Sequence, residues 1–396
     1  MVSVLTIGPA AEAGVRFADV FTNGGWRFSR LGLGRLWAKK KLKGMVIYGT
    51  GEISCPSSDR FVALREGLEK ELSDPTPEGL RFKIQRRGED FLALAERAGG
   101  LPALNYKKTG VVNKLFGSYF FREQGCRSCA DCPVECCAVS YPEVVSLGPL
   151  LGLERPEDVS ALLSEAYELG MDPVSLGAAL AWLTESEGWE FGDPQSYQSL
   201  TQALKDREED WAKALSLGLL RAARGKKRDF ALVLSGLEAA PYFGGYLSLL
   251  AQVVAPGWEG VLANAALLDF AHPVEALSVG EWVDKLIWEE KKALFLSCFA
   301  VCHLAQKSYE LPTLFSCLES LELPWSHQEL ESLSNSVYNL GWEIKDRLGF
   351  SWDNIHIPER AFETTAGAGY LERERFAGML ELYRESVGDL GASSDG

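Results

Sequence analysis

Five of the nine cysteines fall in one stretch, Gly125-Cys-Arg-Ser-Cys-Ala-Asp-Cys-Pro-Val-Glu-Cys-Cys137. Within it, Cys129-x-x-Cys132-x-x-x-Cys136 brings three thiolates close together on a tight turn. A 4Fe–4S cube asks for that geometry from four soft ligands, and the fourth is often a late cysteine. Zinc prefers two separated cysteine pairs with a spacer, so one dense run suits it less well. Disulfides need an oxidising compartment, and nothing in the chain suggests export. Cys126-x-x-Cys129-x-x-Cys132-x-x-x-Cys136 also matches the bacterial ferredoxin spacing. In that run, however, a proline follows the last cysteine, whereas here Pro133 follows the third, and no second run exists for a second cluster. The expected ligands are therefore Cys129, Cys132, Cys136 and a distant cysteine, with Cys302 the candidate. Cys126 is a spare neighbour, and Cys55, Cys298 and Cys317 read as core residues.

The chain around this motif is long enough for two or three domains at 396 residues, and its 46% hydrophobic and 24% charged content is that of a globular protein. A formal net charge of −15 argues against a general binder of nucleic acid or anionic membrane. The longest apolar run, 293–305, is too short to span a bilayer. The first residues carry no basic region and no small-residue cleavage site. Nine cysteines without an export signal indicate a reducing cytoplasm.

Two strands are expected early, at 1–7 by alternation up to the Gly8-Pro9 turn and at 43–49. Between them, Arg30 to Lys43 packs six positive charges into fourteen residues of an acidic protein. Gly32 and Gly34 would let backbone N–H groups approach an anion at a helix start, and a solvated basic turn is the alternative. Beyond residue 53 the signals are helical. Asp172-Pro173 and Asp193-Pro194 each pair a capping residue with proline at the first helical position. Gly170 and Gly225 stand where helices stop, and Ser326-x-x-Glu329 fits a capping box. Helices are predicted at 158–169, 174–187, 195–224, 279–309, 327–347 and 372–387. The tail from Gly388 is expected to fray.

These residues resemble the tungsten-dependent aldehyde:ferredoxin oxidoreductases. Thr6-Ile-Gly-Pro-Ala-Ala-Glu12 and Arg16-Phe-Ala18 are similar to the family's Ile-Gly-Pro-Ala-Gly-Glu and Arg-Phe-Ala. Arg30, Gly32, Leu33, Gly34, Lys40, Leu42 and Lys43 match its Gly-Arg-x-Gly-Leu-Gly…Ser-Lys-Asn-Leu-Lys segment. Cys129-x-x-Cys132-Pro133-x-x-Cys136 looks like its cluster motif, followed by Pro142-Glu143. Glu168-Leu-Gly-Met-Asp172 is similar to its Glu-Leu-Gly-Leu-Asp, and 297–302 falls where the family has Asp-x-x-Gly-Leu-Cys. Two departures stand beside the matches. The chain matches about the last two-thirds of a family member, and the leading Asp of two pterin-holding motifs is Tyr167 and Ser297 here, with Ala300 replacing a Gly. Neither Tyr nor Ser offers a carboxylate to an amino-pterin edge.

The resemblance implies a mainly α fold with a small N-terminal β remnant. It implies a remnant of the pterin-binding domain at 1–52, a helical domain carrying the cysteine motif at 53–240 and a second at 241–396. It implies an oxidoreductase subunit acting on an aldehyde or related carbonyl, with electrons passing through a 4Fe–4S cluster held by Cys129, Cys132, Cys136 and Cys302. Tungstopterin would be held through Arg30, Gly32, Gly34, Lys40, Gly170 and Asp172, or shared with a partner. Glu143 and His272 are the acid–base candidates, and His303 could tune a cluster sulfur. The alternative is a non-catalytic iron–sulfur relay or scaffold that has lost the pterin. Ferredoxin or an electron-transfer subunit is the implied partner. Because a two-stranded sheet is marginal alone, a separate chain supplying the missing portion is expected, or else self-pairing or a lost beginning. Cytoplasmic location follows from the cysteine usage.

Overall fold

The computed structural model describes residues 2–23, 25–51, 58–109, 126–127, 129, 132–137, 140–223, 225–255, 258–272, 277–323, 325–367 and 369–392. Helices dominate, and the one sheet of any size lies at the N-terminus. Its strands are β1 Val2–Ile7, β2 Val20–Thr22, β3 Arg27–Phe28 and β4 Gly44–Tyr48, in the order β3-β2-β1-β4 and antiparallel throughout. Both expected strands are present and pair with each other, Val4 opposite Val46. β2 and β3 are three and two residues long, too short to show alternation in the sequence. β4 forms an edge, and its apolar residues face outward, with Val46 66% and Tyr48 67% exposed.

Residues 16–19 stitch this sheet to the helices. Asp19 N–H donates to the Gly170 carbonyl at 3.0 Å, Asp172 N–H donates to Phe17 at 2.9 Å, and Arg16 N–H donates to Ser216 at 2.7 Å. Ala18 and Met171 form the bridge between these bonds. The approach is so close that a Cβ on Gly170 would lie 2.7 Å from the Gly8 Cα. One apolar core runs from Ile7 to Val387. At its centre the Pro173–Glu187 helix buries every residue from Pro173 to Thr184, as a helix apolar on all sides must. Asp172 caps it, its side chain accepting from the Ser175 N–H at 2.7 Å.

The predicted helices at 158–169, 174–187, 327–347 and 372–387 match Pro156–Leu169, Pro173–Glu187, His327–Arg347 and Arg373–Ala392. The other two are shorter than predicted. The 195–224 stretch breaks into Pro194–Asp206, Asp210–Ser216 and Leu219–Ala222, because Arg207 (φ 57°) and Gly218 (φ 105°) turn left-handed. The 279–309 stretch ends as Val279–Cys298, and Ala300 (φ 55°) turns the chain into a loop. Cys302 therefore sits on a loop. Helices at Ser58–Ser73, Leu80–Arg97, Tyr141–Leu147, Tyr246–Val254, Glu259–Ala271 and Leu311–Ser320 complete the part that positions the site. Among the described residues no helix is long and apolar enough to cross a membrane.

Candidate functional site

Cys132 and Cys302 both lie within electrostatic reach of Cys129. Burial raises the Cys129 thiol above its ordinary value, and the charges of Cys132 and Cys302 raise it further, while a hydrogen bond from Trp26 opposes them. Cys132 N–H closes the turn on the Cys129 carbonyl at 3.2 Å. Tyr309 also feels Cys132 and Cys302, together with Cys317. Cys136 lies on a two-residue strand, Cys136–Cys137, paired with Cys126–Arg127. It packs with Cys132 against Leu72, Ile84, Val134 and Ala305, and it lines a cavity of about 160 Å³. Among the described residues no three His, Cys, Asp or Glu side chains converge on a point fit for a single metal ion. A cube does not require that, since each of its irons takes its own thiolate. Three soft thiols in one short stretch, with the Cys302 charge reaching Cys129 from another loop, are a donor set that suits a cluster whose cationic irons hold thiols deprotonated.

The cavity beside Cys136 is where the titratable groups gather. The Leu80–Arg97 helix contributes Arg87 and Phe91, the Tyr141–Leu147 helix contributes Tyr141 and Glu143, and the Glu259–Ala271 helix contributes Glu259 at its first position. Arg27 enters from β3, Tyr242 from a loop and His303 from the loop bearing Cys302. Phe91 packs against Tyr141 at a tilt with ring centroids 4.5 Å apart and meets Tyr242 edge-on at 5.1 Å, forming an aromatic wall.

Glu143 is buried and held from three sides. It accepts from Ser140 N–H at 2.6 Å, completing a capping box, from the Tyr167 hydroxyl at 2.8 Å, and from Arg27. Arg27 also meets Asp19 at 3.3 Å and Asp172 at 3.7 Å, so one buried guanidinium serves three buried carboxyl groups. Burial pulls the Arg27 pKa down, but the charges of Glu143, Tyr167, Asp19 and Asp172 outweigh it and hold the group above its ordinary value. Asp19 is pushed well above the usual carboxylate range by burial and then by Asp172, with Arg27 pulling the other way.

Glu259 is the second carboxyl of the cavity, and no motif marks it in the sequence. It accepts from the Tyr242 hydroxyl at 3.2 Å and also borders a neighbouring cavity of about 230 Å³ lined by Trp258, Val261, Leu296 and His303. Openings on either side leave much of the residue exposed, while its carboxyl is ringed by protein. Burial raises its pKa and the Glu143 charge adds to the rise, against Tyr242, Arg27 and Arg87. Glu143→Gln removes that charge. Glu259 should then titrate closer to an ordinary glutamate, read as the pH dependence of the protonated-carboxyl infrared band that Glu259→Gln removes. His303 is pushed down to about 4 by burial and by Arg87, which keeps its imidazole neutral.

The remaining expected residues lie apart from this cavity. Arg30 adopts a left-handed backbone and donates to the Glu238 carbonyl. A Cβ on Gly32 would meet the Arg16 carbonyl at 2.3 Å, and one on Gly34 would meet the Asp19 carbonyl at 2.4 Å, so both glycines serve backbone packing. Lys40 is exposed at the C-terminal end of the Leu33–Lys39 helix. Gly170 abuts Gly8, while Asp172 is taken up by its cap and Arg27. His272 ends the Glu259–Ala271 helix, edge-on to Trp282 at 6.0 Å, and lines neither cavity.

Comparison with known proteins decides the lineage. The profile "Aldehyde ferredoxin oxidoreductase, domains 2 & 3" matches residues 45–388, and the N-terminal domain profile matches residues 1–49. The chain belongs to the aldehyde ferredoxin oxidoreductase family. It is therefore an oxidoreductase-like protein of that family. The tungsten-containing aldehyde ferredoxin oxidoreductases of Pyrococcus abyssi and Pyrococcus horikoshii are each 31% identical to it over 206 residues, covering 46% of this chain and 33% of the relative. The matched part thus spans about a third of the length of these curated relatives. Among solved structures, the active site complex BamBC of benzoyl coenzyme A reductase, in complex with 1,5 dienoyl-CoA, superposes with a TM-score of 0.75 at 15% identity. The match covers 98% of this chain and 71% of that one, and it shows a shared fold.

Aldehyde ferredoxin oxidoreductases bring tungstopterin into question. Sites for ligands of drug size span ~300–1,000 Å³, and the two cavities here are about 160 and 230 Å³. Tyr167 closes on Glu143, the Ser297 hydroxyl donates to the Ala293 carbonyl, and Gly32, Gly34, Gly170 and Asp172 are engaged within the protein, whereas Arg30 donates to the Glu238 carbonyl yet keeps a buried Nε without a partner. Among the described residues, those expected to hold a tungstopterin do not by themselves make a full seat for it.

Proposed function

We propose that the chain is the iron–sulfur and proton-handling part of an aldehyde:ferredoxin oxidoreductase-type enzyme acting on an aldehyde or a related carbonyl. The observation that carries this reading is the placing of Cys136, Glu143 and Glu259 on one cavity, with Cys132 and Cys302 both close enough to act on Cys129. Oxidation of an aldehyde and one water to a carboxylic acid releases two electrons and two protons. A 4Fe–4S cluster at Cys129, Cys132, Cys136 and Cys302 supplies one-electron transfer towards ferredoxin or a partner subunit. Glu143, fixed by Ser140, Tyr167 and Arg27, and Glu259, fixed by Tyr242, stand where protons can be taken up and passed to the neighbouring cavity. The phenyl and phenol rings of Phe91, Tyr141 and Tyr242 exclude water from one side.

The engaged state of the pterin-associated residues supports a second reading, a relay or scaffold subunit whose redox partner holds the pterin. Iron content tests the cluster that both readings share. Cys129→Ser, Cys132→Ser, Cys136→Ser and Cys302→Ser should each lose the brown chromophore and most bound iron in anaerobically purified protein, because a hard hydroxyl replaces a thiolate poorly. Cys126→Ser should keep both. Loss of iron in Cys126→Ser with retention in Cys302→Ser would transfer the cluster to the ferredoxin-like spacing. Tungsten analysis of the same samples distinguishes an enzyme part from a relay.

A further inference from the structure

Away from the cysteines, four arginines gather around residues 13–16. Arg207 donates to the Ala13 carbonyl, and its Nη1 lies 2.8 Å from where a Cβ on Gly14 would be. The Arg16 side chain runs past Gly218, its Cδ 2.9 Å from that residue's would-be Cβ, and Gly218 directly precedes the Leu219–Ala222 turn that carries Arg221. The Arg16 carbonyl presses on Gly32, the residue preceding the Leu33–Lys39 helix that carries Arg35. Three separate elements thus bring arginines close to one short segment, near enough that Arg221, Arg207 and Arg16 all act on Arg35.

Arg16 donates to the Gly236 carbonyl at 3.4 Å, but two of its neighbours are left short of partners. The Nε atoms of Arg35 and Arg207 are buried without a hydrogen-bond partner. Among the described residues no carboxylate forms an ion pair with Arg16, Arg35 or Arg207, although acidic residues outnumber basic ones by 55 to 40 in the chain. Burial lowers the Arg35 pKa, and the charges of Arg221, Arg207 and Arg16 lower it further, so these like charges do feel one another. Leaving buried N–H groups unmade while crowding like charges costs free energy on both counts. Both costs are relieved by one anion with several acceptor oxygens.

We propose that Arg16, Arg35, Arg207 and Arg221 form a binding site for a phosphate group. Guanidinium forks match phosphate oxygens in pairs, and forks from three elements can surround one tetrahedral anion. The phosphate can be free, as inorganic phosphate or pyrophosphate, or it can be the end of an organic molecule. The proposal does not depend on the cysteine cluster or on carbonyl chemistry, so it stands or falls separately from them.

Calorimetric titration of the full chain in phosphate-free, low-salt buffer tests it, with inorganic pyrophosphate and ADP as probes. Pyrophosphate should bind the wild type, and Arg35→Gln and Arg207→Gln should each weaken binding roughly tenfold, the loss of about one charge-assisted bond. Arg347→Gln, which alters an exposed cation on another helix, should leave it unchanged. ADP binding more tightly than pyrophosphate assigns the site to an organic phosphate, and equal or weaker binding assigns it to the free anion. Failure of both probes to bind the wild type, or undiminished binding in both Arg35→Gln and Arg207→Gln, overturns the proposal. The two single variants are read independently, so misfolding of one leaves the other decisive.

Discussion

Arg27→Ala is expected to lose about 3–5 kcal/mol of stability near neutral pH, the range for removing one partner from a buried ion pair. The substitution strands Asp19, Glu143 and Asp172, all buried and all within reach of that single guanidinium. Removing the cation takes away the Arg27 attraction that holds Asp19 down, so its already raised pKa climbs further in the folded variant. A carboxyl whose folded pKa lies above its unfolded one favours folding at acid pH, and that contribution is lost as pH rises through the folded value. Asp19 already behaves this way in the wild type. The deficit of Arg27→Ala should therefore be largest at neutral pH and shrink on acidification. Urea unfolding at several pH values checks it, and a deficit independent of pH would show that packing around the side chain, and not charge, sets the loss.

Arg360→Ala should be about as damaging, again ~3–5 kcal/mol, but through a carboxyl group shifted in the opposite direction. Arg360 donates to both oxygens of Glu185, at 2.8 and 3.1 Å, and to the Asn105 carbonyl at 2.7 Å. It thereby ties the segment at Arg360–Glu363 to the C-terminal part of the central helix and to the loop at Leu104–Tyr106, whose left-handed residues need a fixed support. Burial pushes the Glu185 pKa up, yet hydrogen bonds from Arg360, Asn105 and Lys107 overcome it and leave the group below its ordinary value. A depressed carboxylate contributes stability above its unfolded pKa and loses it as pH falls through the folded one. Wild-type protein should thus lose this contribution in acid, while Arg360→Ala lacks most of it at every pH. Thermal unfolding of both proteins between neutral pH and the acid range measures the difference.

The parts of the fold legible in the sequence were those whose signals are local. Cysteine spacing, the strand from Val2 to Ile7 and the capped starts at Asp172 and Ser326 each occupy a few consecutive residues. The breaks at Arg207 and Ala300 were not legible, because a left-handed turn at a non-glycine residue is imposed by its surroundings. Gly32 and Gly34 carry the clearest lesson. Their spacing suggested an anion seat, whereas the space beside them is filled by the carbonyls of Arg16 and Asp19, a contact that only folding reveals. Glu143 could be found from its place after the cysteine run. Its companions Arg27 and Glu259 stand 116 residues before and after it with no motif of their own, and only the assembled cavity connects them.

The stitching of residues 16–19 across the Gly170–Asp172 turn also bears on where this polypeptide can be divided. The two matched profiles meet at residues 45–49, which invites treating the portion before that point as exchangeable. The physical seam is elsewhere. A helical fragment begun at residue 50 would keep Glu143 and Asp172 but lose Arg27, together with the Phe17 carbonyl that receives the Asp172 N–H and the Asp19 N–H that the Gly170 carbonyl receives. Swapping the first fifty residues between relatives would likewise succeed only where the recipient's turn carried a matching Gly170 and matching carboxyl groups. The boundary visible in lineage is therefore not a boundary for recombination or for protease resistance, and nicking between β4 and the Ser58–Ser73 helix should leave both pieces associated.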